Sequence, residues 1–335
     1  MKNTHVNIPV FIPHLGCPNL CVFCNQRAIS GVRSFIPEKA KTEIETVLSS
    51  LRNRKVTAEI AFFGGSFTGI GRDLMTGLLD LGESYVKSGD VTGIRFSTRP
   101  DYIDEEIIGI LKNYTITAAE LGIQSMSDRV LKESKRGHTA EQTETAVKLL
   151  KDAGFNVVGQ MMTGLPGSEA EDEIRTAEKI CEMGCTAARI YPTVVFRDTE
   201  LCGMMQNKKY QPLTAEDAVQ RSADVLEVFL RNNVDCIRIG LCDSENLHGT
   251  EYAAGPNHPS MGELVEGEIY FRRICRALDL LDEVPEFCTI YVPLGEISKA
   301  VGQKRRNQLR IEYKYNVKKV KFIEKSSLKR YNILL

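Results

Sequence analysis

Cys17, Cys21 and Cys24 fall within Gly16-Cys17-Pro18-Asn19-Leu20-Cys21-Val22-Phe23-Cys24. That C-x-x-x-C-x-x-C spacing lets three thiolates converge if the loop wraps around a common centre. Thiolates are soft donors, and a [4Fe–4S] cube takes one thiolate per iron. Three ligands on four irons leave one iron open, and chemistry would occur there. Two other readings compete. A structural zinc site would take His14 as its fourth ligand, and three unrelated core thiols need no metal.

Further along, Gly64-Gly65-Ser66 either brings backbone carbonyls close to a ligand or marks a turn. Arg99, in Ser97-Thr98-Arg99-Pro100-Asp101, offers a fork suited to a carboxylate, or an ion pair with Asp101 or Glu120. Gly164-Leu165-Pro166-Gly167-Ser168 reads as a turn opening a helix near Ser168. Tyr191, two residues after Arg189, is a pocket aromatic or ordinary barrel packing. His258 stands between two prolines near Glu263, as a proton donor or substrate ligand, or as a loop residue making a structural hydrogen bond. Cys181 with Cys185 and Cys236 with Cys242 complete no second triplet, so one cluster is expected.

The elements that carry these residues alternate. Strands are expected at Val6–Ile12, Ala58–Phe63, Gly93–Ser97, Ile116–Ile123, Phe155–Met162 and Ala187–Val195. Helical patterns lie between them, one opened by Pro37 and others over Asp73–Val86, Asp104–Lys112, Glu141–Ala153 and Ser168–Met183. Leu241–Glu266 reads as no regular element. Repeated βα units imply parallel strands with right-handed crossovers, in an open doubly wound sheet or a barrel. Most motifs follow a strand, where sites lie in both architectures.

The cysteine triplet, with Phe23 before its third member, resembles the signature of the radical S-adenosylmethionine (SAM) superfamily. Gly64-Gly65-Ser66 resembles its glycine-rich motif, with Ser66 where Glu is frequent. Ser97–Tyr102, Ala119–Ser125 and Arg189–Leu201 resemble the Elongator-like branch and its bacterial relatives that lack the acetyltransferase domain. The second of these also resembles oxygen-independent coproporphyrinogen oxidases. The branch carries Lys at Arg189 and Arg-Gly-Thr at Arg197-Asp198-Thr199. The resemblance implies a partial (β/α)6 TIM-type barrel over residues 1–235 and a C-terminal extension over 236–335. It implies a [4Fe–4S] cluster on Cys17, Cys21 and Cys24, with SAM on the open iron, cleaved reductively to a 5′-deoxyadenosyl radical. Phe23, Gly64, Gly65, Ser66, Arg99, Gln124, Gly164 and Pro166 would contact SAM. Arg189, Tyr191 and His258 would act on substrate. A flavodoxin- or ferredoxin-type electron donor is implied, and no acetyl-CoA.

With 335 residues, 42% of them hydrophobic, the chain can bury a large core. It has no signal peptide and no apolar run long enough for a membrane span, and its ten cysteines are scattered, so a reducing cytoplasm is expected. Net charge is −1, yet Lys304 to Arg330 holds eleven Lys and Arg against Glu312 and Glu324. Such a stretch faces a polyanion or is a solvated terminal helix or hairpin. The resemblance to the Elongator-like branch, together with this stretch, implies RNA, above all tRNA, as the substrate. The alternatives are a small molecule, or a cluster-bearing binding module that has lost turnover.

Overall fold

A computed structural model describes residues 4–18, 21–32, 34–52, 54–241 and 250–335; Cys242 lies outside them. Strands β1 (Thr4–Phe11), β2 (Val56–Phe63), β3 (Ile94–Thr98), β4 (Ile116–Gln124), β5 (Asn156–Thr163) and β6 (Ala187–Pro192) correspond to the expected six. The sixth is divided: β6 ends at Pro192, and β7 (Val195–Phe196) pairs antiparallel with β9 (Tyr252–Ala254). Between them run α1 (Gln26–Ser30), α2 (Pro37–Leu51), α3 (Arg72–Lys87), α4 (Glu105–Leu111), α5 (Asp128–Glu133), α6 (Ala140–Asp152), α7 (Ala170–Glu182), α8 (Glu200–Gln206) and α9 (Ala215–Arg231).

Local chemistry accounts for most of these boundaries. Pro37 occupies the first turn of α2, where its missing N–H costs nothing. Asp104, Thr139, Thr199 and Thr214 each accept from the amide three residues on, capping α4, α6, α8 and α9. The cap of α7 is Glu169, paired with Asp172, and the Ser168 hydroxyl turns instead to Glu173 Oε1 at 3.2 Å.

Among the described residues, seven strands form one sheet in the order β1-β2-β3-β4-β5-β6-β8, with β8 at Asp235–Ile239. Every neighbouring pair is parallel. The chain walks across the sheet in one direction, whereas a doubly wound sheet reverses at a switch point. The fold is therefore a partial (β/α) barrel, with seven strands where six were expected. β8 runs across the expected division between residues 235 and 236. Its alternation is that of an edge strand, with Ile237 47% exposed, so no continuous apolar run announces it.

The core lies between the sheet and its helices, with Ile8, Ile60, Phe62, Phe96, Leu121, Ile190 and Phe229 fully buried. The inner face of the sheet carries charge. Arg95 donates to Glu59 at 2.6 Å and to Glu120 at 3.1 Å, and Arg189 donates to Glu120 at 2.8 Å.

Beyond the barrel, α10 (Met261–Leu278) packs on α9 and β8. It begins inside the segment that read as irregular, because Pro256 and Pro259 mask the apolar Leu264, Val265 and Ile269 that follow. β10 (Phe287–Val292), α11 (Ile297–Val301), α12 (Arg306–Lys314) and β11 (Lys319–Glu324) complete the chain. β10 and β11 are parallel, joined through the two helices, so the basic stretch is a folded unit rather than a hairpin or lone helix. Among the described residues, no helix is long and apolar enough to cross a membrane.

Candidate active site

The cysteine loop leaves β1 and lies on the Gly64-Gly65 turn. Ile12 N–H donates to Phe63 O at 2.6 Å, His14 N–H to Gly64 O at 3.2 Å, and Ser66 N–H to Leu15 O at 2.9 Å. This stacking explains the glycines. A Cβ on Gly65 would stand 2.3 Å from Leu15 O, and one on Gly16, whose φ is +74°, 2.2 Å from Ser66 O. Beneath the turn, Phe67 stacks on Phe62 with centroids 4.8 Å apart, anchoring it in the core. The far end of the loop is held by Val22, whose N–H donates to Ser134 O and whose carbonyl accepts from Leu201 N–H. His14 Nε2 accepts from Gln26 N–H at 3.1 Å, so the alternative zinc ligand is occupied in closing the loop.

The three thiols border a cleft of about 600 Å³ at the carboxyl ends of the strands, with Phe23, Gly64, Gly65, Arg99, Gln124 and Arg136 on its walls. Arg136, 7% exposed, donates from Nε and Nη2 to Gly122 O, and its Nη1 stands 3.5 Å from Cys21 Sγ. Burial and the neighbouring thiols push Cys24 up to about 12. Burial also raises Cys17, against the opposing pull of Arg136 and Arg99. A bound metal reverses that balance by favouring thiolate. Among the described residues, no three His, Cys, Asp or Glu side chains gather tightly enough to share one ion.

Two polar atoms at this cleft are buried without a partner. Arg99 spends Nε and Nη2 on Asp101, at 2.9 and 2.7 Å, which realises the expected ion pair; its Nη1 has none. Gln124 Oε1 is the second. Gln124 sits at a register shift at the end of β4 with φ +66°, a left-handed conformation in a non-glycine residue. Such groups fit a polar ligand with a carboxylate for the guanidinium and a hydroxyl for the amide oxygen. Behind them lies His138, which burial and Arg136 push down to about 3, so it is neutral.

A second cavity of about 1090 Å³ adjoins the first, sharing Phe23, Cys24, Gly64 and Gln124. Its walls include Phe63, Met162, Val194 and Phe196, and its polar groups include Glu120, Gln160, Arg189 and Tyr191. Gln160 Nε2 donates to Glu120 Oε2 at 2.8 Å, Arg189 bonds the other carboxylate oxygen, and Arg189 Nη1 lies 3.5 Å from the Tyr191 hydroxyl. Arg189 Nε has no partner, and burial raises the Tyr191 hydroxyl above its ordinary value.

The fold thus gathers Cys17, Cys21, Cys24, Phe23, Gly64, Gly65, Arg99 and Gln124 around one cleft, with Arg189 and Tyr191 in the next. Four expected residues line neither cavity. Ser66 is fully buried just behind, accepting from Arg99 N–H at 3.2 Å and bonding the Cys17 thiol. Gly164 and Pro166 form a buried turn whose Gly164 N–H donates to Glu173 Oε1, and Tyr210 O–H donates to Gly164 O. His258 Nδ1 accepts from Ser260 N–H at 3.1 Å before α10, the structural role weighed against a catalytic one. Arg136, Glu120 and Gln160 were not anticipated as site residues. The signal for Arg136 is Lys135-Arg136-Gly137-His138, but a basic run after a short helix looks like surface.

A family model described as the Radical SAM superfamily matches residues 11–180, and one described as the Radical SAM C-terminal domain matches 185–270. A tRNA uridine(34) acetyltransferase of Methanocaldococcus jannaschii is 37% identical over 126 residues, 37% of this chain and 23% of that protein. Elongator complex protein 3 of Homo sapiens is 32% identical over 137 residues, 40% of this chain and 25% of that protein. The match thus spans about a quarter of each of these relatives. Among solved structures, Methanocaldococcus infernus Elp3 lacking residues 1–46 superposes with a TM-score of 0.64 at 22% identity, covering 81% of this chain and 64% of that one. That likeness is one of fold.

Proposed function

Because the chain belongs to the radical SAM superfamily, we propose that Cys17, Cys21 and Cys24 hold a [4Fe–4S] cluster with SAM beside it in the thiol-lined cleft. The adjoining cavity would then receive the group to be modified. When bound, a cluster and SAM supply a reducing electron and a hydrogen-abstracting radical. Arg136 and the free Nη1 of Arg99 would set positive charge against thiolates and a carboxylate, and Gln124 Oε1 would accept from a hydroxyl. Phe23 forms the wall between the two spaces. Phe63, Met162 and Phe196 keep water from the second one, while Glu120 and Gln160 hold Arg189 and, through it, Tyr191. The observation that carries this reading is the contiguity of the two cavities across Phe23 and Gln124.

For the substrate we take RNA, with tRNA first. The names of the two curated relatives and the basic C-terminal unit support it. A small-molecule substrate is the second reading, favoured by how apolar the walls of the second cavity are. The electron would come from a flavodoxin- or ferredoxin-type protein in a reducing cytoplasm. The test has two arms. Anaerobically reconstituted protein with a strong reductant should convert SAM to 5′-deoxyadenosine and methionine; a loaded cluster that never does so identifies a binding module. Mass spectrometry of tRNA from cells with and without the protein should reveal a modified nucleoside that disappears, and an unchanged nucleoside profile moves the assignment to a small molecule.

A further inference from the structure

The cations of the C-terminal stretch fall into two populations. Arg306 pairs with Glu216, Arg310 with Glu268, Lys314 with Asp279, Lys318 with Glu286 and Arg330 with Glu266. Several of these pairs tie the unit to α9 and α10, so they serve the fold. Lys304, Arg305, Lys319, Lys321, Lys325 and Lys329 have no carboxylate partner among the described residues, and of these Lys319 and Lys321 stand exposed side by side on one strand. They alternate along β11 with buried Val320, so they project from the face turned away from the core.

The register of β10 on β11 sets Phe287 beside Lys319 and Thr289 beside Lys321. Cys288 and Ile290 are buried on the inner face, which leaves Phe287 and Tyr291 on the outer one with the lysines. Phe287 is 67% exposed, and Lys325 Nζ lies 5.4 Å from the centroid of the Tyr291 ring. An aromatic ring held in water among unpaired ammonium groups matches what single-stranded nucleic acid offers: bases that stack on rings and phosphates that pair with cations. A second copy of this chain fits poorly, since lysines on an edge strand repel each other across a strand-to-strand contact.

We propose that the outer face of β10 and β11 docks unpaired nucleotides of an RNA, with a base on Phe287 and phosphates on Lys319, Lys321 and Lys325. The proposal rests on the RNA reading above and adds to it the surface that holds the substrate. Arg306 and Arg310 lie outside that surface.

The test is binding of the full, reconstituted chain to fluorescently labelled tRNA across a series of KCl concentrations. Each phosphate contact adds about 0.7 to 0.9 to the slope of log K against log salt. The double variant Lys319→Gln/Lys321→Gln should therefore lower the slope by roughly 1.4 to 1.8. Phe287→Ser should weaken binding roughly tenfold with no change in slope. Arg306→Gln should leave both unchanged. Melting temperature reports whether each variant is folded, and none of the four side chains of the proposed face is buried. Wild-type affinity and slope in both the double variant and Phe287→Ser overturn the proposal and leave the RNA reading intact. A double variant that changes sedimentation mass, with tRNA binding unaltered, overturns it in favour of a contact between copies. Wild-type protein with no affinity for tRNA at low salt sinks the RNA reading itself.

Discussion

The strand-end face of the barrel and the C-terminal unit treat buried polar groups in opposite ways. Around the two adjoining cavities, Arg99 Nη1, Gln124 Oε1 and Arg189 Nε are buried with no partner. Among the described residues from 261 onward, no buried side-chain N or O is left so. Asn307 Nδ2 donates to Gly267 O and Ala300 O, Gln308 Nε2 to Val320 O, and Glu268 receives Arg310 at 2.7 Å. Leaving a buried polar atom unmatched costs about 1–3 kcal/mol, so the three that line the two adjoining cavities mark surfaces completed by a ligand; the Ser134, Thr163 and Ser222 hydroxyls are unmatched elsewhere in the barrel. The C-terminal unit has its partners already, and its function is left to its exposed face.

The sharpest test of that contrast uses cysteines from both regions. Cys17→Ala, Cys21→Ala or Cys24→Ala should take reconstituted protein from about four irons per chain to almost none. Cys288→Ala, buried in the second region, should keep the iron and lose about 1 kcal/mol of stability. Iron analysis and visible absorbance decide it: iron retained after all three loop substitutions would refute the cluster.

Next comes a carboxylate that sits in the barrel yet is paired. Glu173 is 2% exposed and receives Arg221 at 2.8 and 2.6 Å. Arg221→Met should cost about 3–5 kcal/mol at neutral pH by stranding that charge. Burial already holds the Glu173 carboxyl above its ordinary value of 4.5, and losing Arg221 raises it further. A raised carboxyl means that the folded chain binds the proton more readily than the unfolded one. The deficit should therefore be greatest above the raised value and shrink as pH falls through it towards 4.5. Urea titrations over that range would break the assignment if the deficit stayed constant.

Glycines come third. Gly16→Ala and Gly65→Ala should cost about 2–4 kcal/mol and impair cluster assembly, because the added methyl meets backbone rather than a mobile side chain. Gly295, with φ +77° and nothing within 4 Å of where a methyl would stand, should lose only about 1–2 kcal/mol on change to Ala. Equal iron content in Gly65→Ala and Gly295→Ala would show that cluster assembly does not depend on the close approach of the two loops at Gly65.

The smallest effect separates two arginines. Arg136→Met and Arg310→Met should each cost about 1–2 kcal/mol, the latter also losing contact with the Phe271 ring at 3.5 Å. Only Arg136→Met should weaken SAM binding, tenfold or more, in equilibrium dialysis. Equal SAM affinity in both variants removes Arg136 from the site.

Much of this was legible in the chain. The cysteine spacing, the paired glycines and the alternation of strands with helices are local properties, set by each residue and its near neighbours. They sufficed to anticipate six strands and the thiol triplet; placing Phe23, Arg99 and Gln124 beside it took the family resemblance, and Arg136 was not anticipated. What the tertiary structure alone decided depends on distant contacts. The unidirectional strand order distinguishes a barrel from a doubly wound sheet, and both share the same βα periodicity. Arg136 reaches Cys21 across 115 residues of chain, and Glu120 meets Arg189 across 69. The basic stretch is one run of similar residues in sequence, yet folding pairs some with carboxylates on α9 and α10 and leaves Lys319 and Lys321 in water. Periodicity sets which face a side chain takes; only packing sets what stands opposite it.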